Sequence, residues 1–179
     1  MAEYAVISCS LRASSRSRLL AEQLVRDLRE LNGDAAFADL REYNLPLCDG
    51  GAAYKAPGVR PLLELISGAR VIFLAVPVYN YYANAAAKNL IELTGDAWED
   101  KIAGFLCAAG GDSSYMSIMN IANSLMLDFR CVILPRFVYA TGGDFTGERI
   151  SSEDILSRIR QLAATATMLR QISEEKIHE

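Results

Sequence analysis

Ser10, Arg12, Ser15 and Ser17 stand close together in the chain, between an apolar run and an amphipathic one. Three hydroxyls and one guanidinium at such spacing can hold a terminal phosphate monoester. Hydroxyls donate to phosphate oxygens, and the planar fork of arginine pairs with two of them at once. A helix that starts here adds unpaired backbone N–H groups and the positive end of its dipole. The stretch is not a Walker loop, because no Gly-Lys-Ser/Thr closes it, nor a dinucleotide fingerprint, because it holds no glycine. Serine also caps helices for purely local reasons. Taken alone, the stretch leaves phosphate binding and plain capping equally open.

Two later stretches bear on that choice. Pro77-Val78-Tyr79-Asn80-Tyr81-Tyr82 places three tyrosines behind an apolar run. Their rings can line a flat ligand, and Asn80 can hydrogen-bond its polar edge. Tyr81 and Tyr82 read equally well as part of an oligomer interface, where aromatics concentrate. Tyr79 and Asn80, nearest the strand end, are the better ligand candidates. Ala109-Gly110-Gly111-Asp112-Ser113-Ser114 forms the third. Adjacent glycines let a ligand approach the backbone and allow positive φ. Amides opening the next helix suit developing negative charge. A simple tight turn is the plainer alternative.

The elements that must position these loops follow from hydrophobic periodicity. Strands are expected at 4–9, 35–39, 71–76, 102–109 and 131–134. Helices are expected at 17–31, 59–67, 83–93, 115–127 and 153–172. A long loop spans 40–57, and an extended tail spans 136–147. The last helix carries an apolar stripe from Ile155 through Ile159, Leu162, Ala166 and Leu169 to Ile172. Alternating strands and helices predict an α/β three-layer sandwich around a five-stranded parallel sheet. The flavodoxin-like order 2-1-3-4-5 fits the count, in one domain spanning 1–179. In that order the winding direction switches between strands one and three. The loops leaving strands one, three and four then converge at the carboxyl edge, where such sheets bind ligands.

The bulk properties narrow the function classes. The chain has 179 residues, 51% of them hydrophobic and 22% charged, with a net charge of −4. That excludes a disordered chain and a nucleic-acid footprint. Arg16, Arg18, Arg26 and Arg29 are interrupted by acids and leucines, and most of them read as a solvated helix face. Apolar runs are strand-sized, well short of the roughly 20 residues that span a bilayer. No basic head followed by a long apolar run opens the chain, so a cytoplasmic protein without membrane contact is expected. Cys9, Cys48, Cys107 and Cys131 form no CxxC pair; no disulfide is expected, and only Cys48 is expected near the surface. The single histidine, His178, lies near the end, which removes histidine-centred triads and histidine-rich metal sites. No metal ligand set and no catalytic side chain are assigned.

Together, Ser-Leu-Arg-x-x-Ser-x-Ser-Arg, Pro-Val-Tyr-Asn with a later Lys-Asn, and Ala-Gly-Gly resemble the NADPH-dependent FMN reductase family. The resemblance covers nearly the whole chain. It implies a flavodoxin-like fold, FMN as cofactor and NADPH or NADH as reductant. It implies Ser10, Arg12, Ser15 and Ser17 at the FMN phosphate. It implies Pro77, Val78, Tyr79 and Asn80 against the flavin and ribityl chain, and Gly110 and Gly111 near the pyrimidine end. Electrons would pass to a small acceptor: free flavin, a quinone, an azo dye or a metal oxyanion. A homodimer or homotetramer is implied as well. The broad apolar coverage of the helix over 115–127 points the same way, because a helix on a sheet face needs only one stripe. Two departures stand out. Cys9 replaces the usual glycine, and Asn84-Ala85-Ala86-Ala87-Lys88 replaces the usual turn before the lysine.

The residue inventory fits this reading, because a flavin carries the hydride chemistry and no catalytic histidine is needed. An FMN-binding electron carrier without nicotinamide turnover is the alternative; Arg12 and the modest net charge weigh against it. A third reading is a nucleotide-binding or hydrolytic domain using Asp112 or Asp49 as base.

Overall fold

The computed structural model describes residues 2–175, with side chains as far as Leu169 in the last helix. The Ile172 side chain and His178 lie outside the described residues. The elements in chain order are β1 (Tyr4–Ser8), α1 (Arg16–Glu30), β2 (Ala35–Asp39), α2 (Val59–Gly68) and β3 (Val71–Tyr79). Then come β4 (Tyr82–Ala83), α3 (Ala85–Thr94), β5 (Ile102–Ala108), α4 (Met119–Phe129), β6 (Val132–Ile133) and β7 (Val138–Ala140). The chain ends in β8 (Phe145–Thr146), β9 (Arg149–Ile150) and α5 (Glu153–Glu175).

The main sheet runs β2-β1-β3-β5-β6, with β7 also pairing with β5. These pairings are parallel, and β1 sets Ser8 beside Asp39 on one side and Ala75 on the other. All of β1 and β5 is buried, as is β3 from Val71 to Pro77. A parallel strand covered on both faces must be apolar throughout, which is why these runs lack alternation. One face packs on α2, α3 and α4 through Leu62, Ile66, Leu90, Trp98, Ile121 and Leu125. The other packs on α1 and α5 through Leu20, Leu24, Leu28, Ile155, Ile159 and Leu162. The three layers are therefore helix, sheet, helix. The expected order 2-1-3-4-5 is reproduced when β4 is set aside and β6 and β7 count as one interrupted edge strand.

Several boundaries differ from the sequence expectation. The edge strand stops after Ile133, because Pro135 has no N–H and Arg136 adopts φ 57. Pairing with β5 resumes at Leu106↔Val138, so the expected tail over 136–147 supplies β7 and β8. The strand expected at 71–76 continues to Tyr79. The helix expected from 83 begins at Ala85, and the one expected from 115 begins as a 3-10 turn over Asp112–Ile118 before α4. The long 40–57 loop holds two 3-10 turns, and Asn89 pins it: its side chain accepts from the Cys48 amide (2.8 Å) and donates to the Pro46 carbonyl (2.9 Å). The cysteines form no disulfide; Cys9, Cys107 and Cys131 are buried and Cys48 is half-buried. Burial pushes the Cys9 thiol far up and the Cys107 thiol up to about 12. No helix among the described residues is long and apolar enough to cross a membrane.

Candidate functional site

The chain leaves β1 at Ser8, and the Cys9 amide still donates to the Ala75 carbonyl at 2.9 Å. Ser10 is buried, and its hydroxyl accepts from the Arg12 amide at 3.2 Å. Ser15 caps α1: its extended backbone leaves the hydroxyl free to accept from the Arg18 amide at 3.2 Å. The Ser15 and Ser17 hydroxyls lie 3.0 Å apart. Three hydroxyls thus gather at the start of α1. Arg12 is exposed; its Nε donates to the Ser14 hydroxyl at 3.1 Å, and it has no carboxylate partner among the described residues.

Behind this loop lies Asp39, the last residue of β2, with a fully buried side chain. Arg18 reaches it at 3.1 Å and Arg41 at 2.7 Å. Burial pushes the Asp39 carboxyl up from its ordinary value, while the Arg18 charge opposes the rise. Arg18, one of the four helix arginines, thus pairs inward instead of standing in solvent. Arg16 is exposed, with its guanidinium 5.4 Å over the Phe145 ring.

The second loop is a tight hairpin. Val78 pairs with Ala83 and Tyr79 with Tyr82, with Asn80 (φ 51) and Tyr81 (φ 63) at its tip. Two central residues at positive φ are what a two-residue type I′ connection requires. Asn80 is exposed at the turn, and Tyr79, Tyr81 and Tyr82 all expose much of their rings. Asn84 follows but does not cap α3 with its side chain. Its Nδ2 donates to the Cys9 carbonyl at 2.6 Å, tying the second loop to the first. Its Oδ1 is buried without a partner among the described residues.

In the third loop neither Gly110 nor Gly111 adopts positive φ; Gly111 is fully extended (φ −163). The expected conformational role is therefore absent, and what remains is space. A Cβ built on Gly110 meets nothing within 4 Å. The loop is held from β7, where the Tyr139 hydroxyl donates to the Gly111 carbonyl at 2.6 Å. Tyr115 stacks on Phe137 with centroids 4.7 Å apart.

A cleft of about 620 Å³ runs between the three loops. Ser10, Arg12, Ser15 and Ser17 line one part of it, and Pro77, Val78, Tyr79 and Gly110 another. Asn80 and Gly111 are not among its lining residues. Arg16, Arg18, Leu19 and Glu22 from α1, and Gly147 and Glu148 from the β8–β9 turn, also border it. No local signal marks the last two, because only the fold brings that turn beside α1. Asp49, the alternative base, accepts from the Gly51 and Ala53 amides (2.8 and 3.0 Å), which lowers its pKa. That describes a turn cap, away from the cleft. No cluster of metal-ligating side chains occurs among the described residues.

The chain as a whole is similar to known proteins. The family model described as NADPH-dependent FMN reductase matches residues 3–146. An FMN reductase (NADPH) of Pseudomonas aeruginosa is 30% identical over 159 residues, covering 87% of this chain and 85% of the relative. An NAD(P)H-dependent FAD/FMN reductase of Geobacillus thermodenitrificans is 26% identical over 155 residues, covering 83% of each. Among solved structures, FerB, a flavoenzyme NAD(P)H:(acceptor) oxidoreductase from Paracoccus denitrificans, superposes with a TM-score of 0.74 at 18% identity. That match covers 96% of this chain and 98% of FerB.

Proposed function

The chain belongs to the NADPH-dependent FMN reductase family, and from that premise we propose that the cleft is its flavin site. The protein is an FMN-dependent NAD(P)H oxidoreductase of flavodoxin-like fold. The residues fit the cofactor on their own chemistry. Three gathered hydroxyls, an arginine with no carboxylate partner among the described residues and a helix N-terminus suit a dianionic phosphate. The open space at Gly110 admits the edge of a flat ring. The one observation that carries the reading is the convergence of the hydroxyl loop, the apolar shelf and the open glycine on one cleft.

Bound FMN would supply the hydride chemistry, taking a hydride from NADPH or NADH and returning electrons to an acceptor. The chain's own part is binding and orientation. Ser10, Arg12, Ser15 and Ser17 anchor the phosphate and so fix how deep the ring sits. Pro77, Val78 and Tyr79 form its shelf, and Asn80 stands beyond it at the hairpin tip, outside the cleft lining. The Gly110 and Gly111 amides, which make no hydrogen bond among the described residues, offer donors to negative charge at the pyrimidine end. No side chain is assigned a proton-transfer role. The acceptor is a small molecule such as free flavin, a quinone, an azo dye or a metal oxyanion. Its access is over the exposed tyrosines of the hairpin.

We also infer a homo-oligomer. Only Ile121, Ala122 and Leu125 of α4 are buried, while Met126, Leu127 and nearby Tyr115, Met116 and Val132 are exposed. An apolar surface of that kind fits a second copy of the chain.

The purified protein's visible spectrum, followed by anaerobic addition of NADPH or NADH, tests the reading. A bound flavin that bleaches on addition supports it. Bound flavin without bleaching would return the electron-carrier alternative. A protein that neither retains nor rebinds flavin overturns it.

A further inference from the structure

We propose that Arg41 is a positioning residue for the phosphate loop: by holding the Ala13 carbonyl, it aims the Ser14 amide at the flavin phosphate. This rests on the reading above, in which the phosphate binds at this loop. Arg41 follows β2 and grips the buried Asp39 side chain with a fork. Its Nε lies 3.1 Å from both carboxylate oxygens and its Nη2 lies 2.7 Å from Oδ2. The fork leaves Nη1 free, and Nη1 donates to the Ala13 carbonyl at 3.2 Å. Arg41 does not itself border the cleft, so it acts through that carbonyl and not by contact with the phosphate.

Peptide geometry supplies the next step. In a planar trans peptide the C=O and the following N–H point in opposite directions, and no peptide among the described residues is cis. With the Ala13 carbonyl turned to Arg41, the Ser14 N–H turns away from it. That N–H has no hydrogen-bond partner among the described residues, and Ala13 and Ser14 both border the cleft. An unpaired amide aimed into an anion site is a donor held in readiness. The flipped peptide would instead present a carbonyl oxygen to a dianion. Arg41 disfavours that flip, because releasing the carbonyl would give up the Nη1 hydrogen bond.

Asp39 makes the clamp stiff. Its buried charge requires partners, and it takes both Arg41 and Arg18. The Arg18 amide in turn donates to the Ser15 hydroxyl. One buried carboxylate at the end of β2 therefore holds the loop at Ala13 through Arg41, and also pairs with the side chain of the residue whose amide caps onto Ser15. A single ammonium cannot span Asp39 and Ala13 together, because it lacks the planar fork.

The test titrates apoprotein with FMN and with riboflavin, for the parent and for Arg41→Lys, which keeps a positive charge beside Asp39. FMN affinity should fall about tenfold, the size of one lost hydrogen bond to a charged group. Riboflavin affinity should not change, because riboflavin has no phosphate. A role confined to folding would lower both affinities together, and that result overturns the proposal. So does an unchanged FMN-to-riboflavin ratio. A second measurement uses the parent protein alone and does not depend on any variant folding. The Ser14 amide proton resonance should move downfield when FMN is added and stay in place with riboflavin; no FMN-specific shift refutes the proposal. A parent protein that binds both ligands equally would sink the phosphate reading itself. A parent that prefers FMN, with Arg41→Lys retaining that preference, would sink only the role of Arg41.

Discussion

Replacing Arg12 with alanine is the most direct probe of the phosphate reading. Arg12 is exposed in the loop before α1, and its only described side-chain partner is the Ser14 hydroxyl at 3.1 Å. The apoprotein should therefore keep its stability, since the side chain packs against nothing that folding needs. FMN affinity should not survive intact. An exposed ion pair is worth about 0.2–1 kcal/mol, and a hydrogen bond to a charged group about 1.5–3 kcal/mol. The phosphate would sit between these limits, in a cleft but not sealed, so a loss near 1.5 kcal/mol is expected, or about tenfold in Kd. Riboflavin isolates the phosphate contribution, because it shares the ring and ribityl chain but lacks the charge. Fluorescence titration of both flavins into parent and Arg12→Ala apoprotein should show a tenfold loss for FMN and none for riboflavin. Added salt should weaken FMN binding to the parent and narrow the gap between the two proteins. Equal losses for both flavins would mean general damage to the loop. No loss for either would mean that the hydroxyl loop is only a capped helix start.

Four other outcomes are expected. Gly110→Val should fold normally, because its Cβ meets open space, yet bind FMN more weakly; parent-like binding would place the ring elsewhere. Gly104→Ala puts a Cβ 2.7 Å from two Phe73 ring atoms inside the sheet's buried face. Overpacking costs about 1–3 kcal/mol, so thermal unfolding should show Tm several degrees lower, at about 2–4 °C per kcal/mol. Asp27 is buried with one unpartnered oxygen, and burial raises its pKa. A raised folded pKa means that the ionised form costs stability at neutral pH and the cost fades as pH falls through that pKa. Asp27→Asn should accordingly stabilise at pH 7, with the gain shrinking as the medium is acidified; a pH-independent gain would contradict the cause given. Leu127→Lys, on the exposed face of α4, should shift light scattering toward monomer; a parent already monomeric at micromolar concentration refutes the proposed assembly.

The fold was readable where burial leaves a one-dimensional trace. Runs such as Val71–Val76 are apolar on both faces because helices cover both faces, and that shows without coordinates. The places where reading failed share a cause. Leu134-Pro135-Arg136 looked like the end of a strand, because nothing local says that pairing resumes at Val138 after a left-handed arginine. The β3–β4 hairpin was invisible for a similar reason. Its turn is Asn80-Tyr81, with no glycine to announce positive φ, and tyrosine pays a steric cost there that only the surrounding structure can hold in place. Asn84 read as part of a helix; in the fold it ends the hairpin and reaches the Cys9 carbonyl.

The site was legible to the extent that it is local. Ser10, Arg12, Ser15 and Ser17 are neighbours in the chain, so their spacing already states what they can grip. The contacts that orient them are not local. Arg41 and Ala13 are far apart in sequence, and they meet only because β2 lies beside β1 with Asp39 level with Ser8. An aspartate at a strand end and an arginine two residues later look like ordinary surface charges in one dimension. Burial reverses their meaning. In water such a pair contributes little; removed from water, the carboxylate must be paired, and its partners become fixed points from which a neighbouring loop can be hung. Arg18 illustrates the same point, since the helix periodicity that places it outward does not show the buried acid beneath it. The donors a phosphate would touch can thus be found by spacing, whereas the groups that aim those donors can be found only from desolvation.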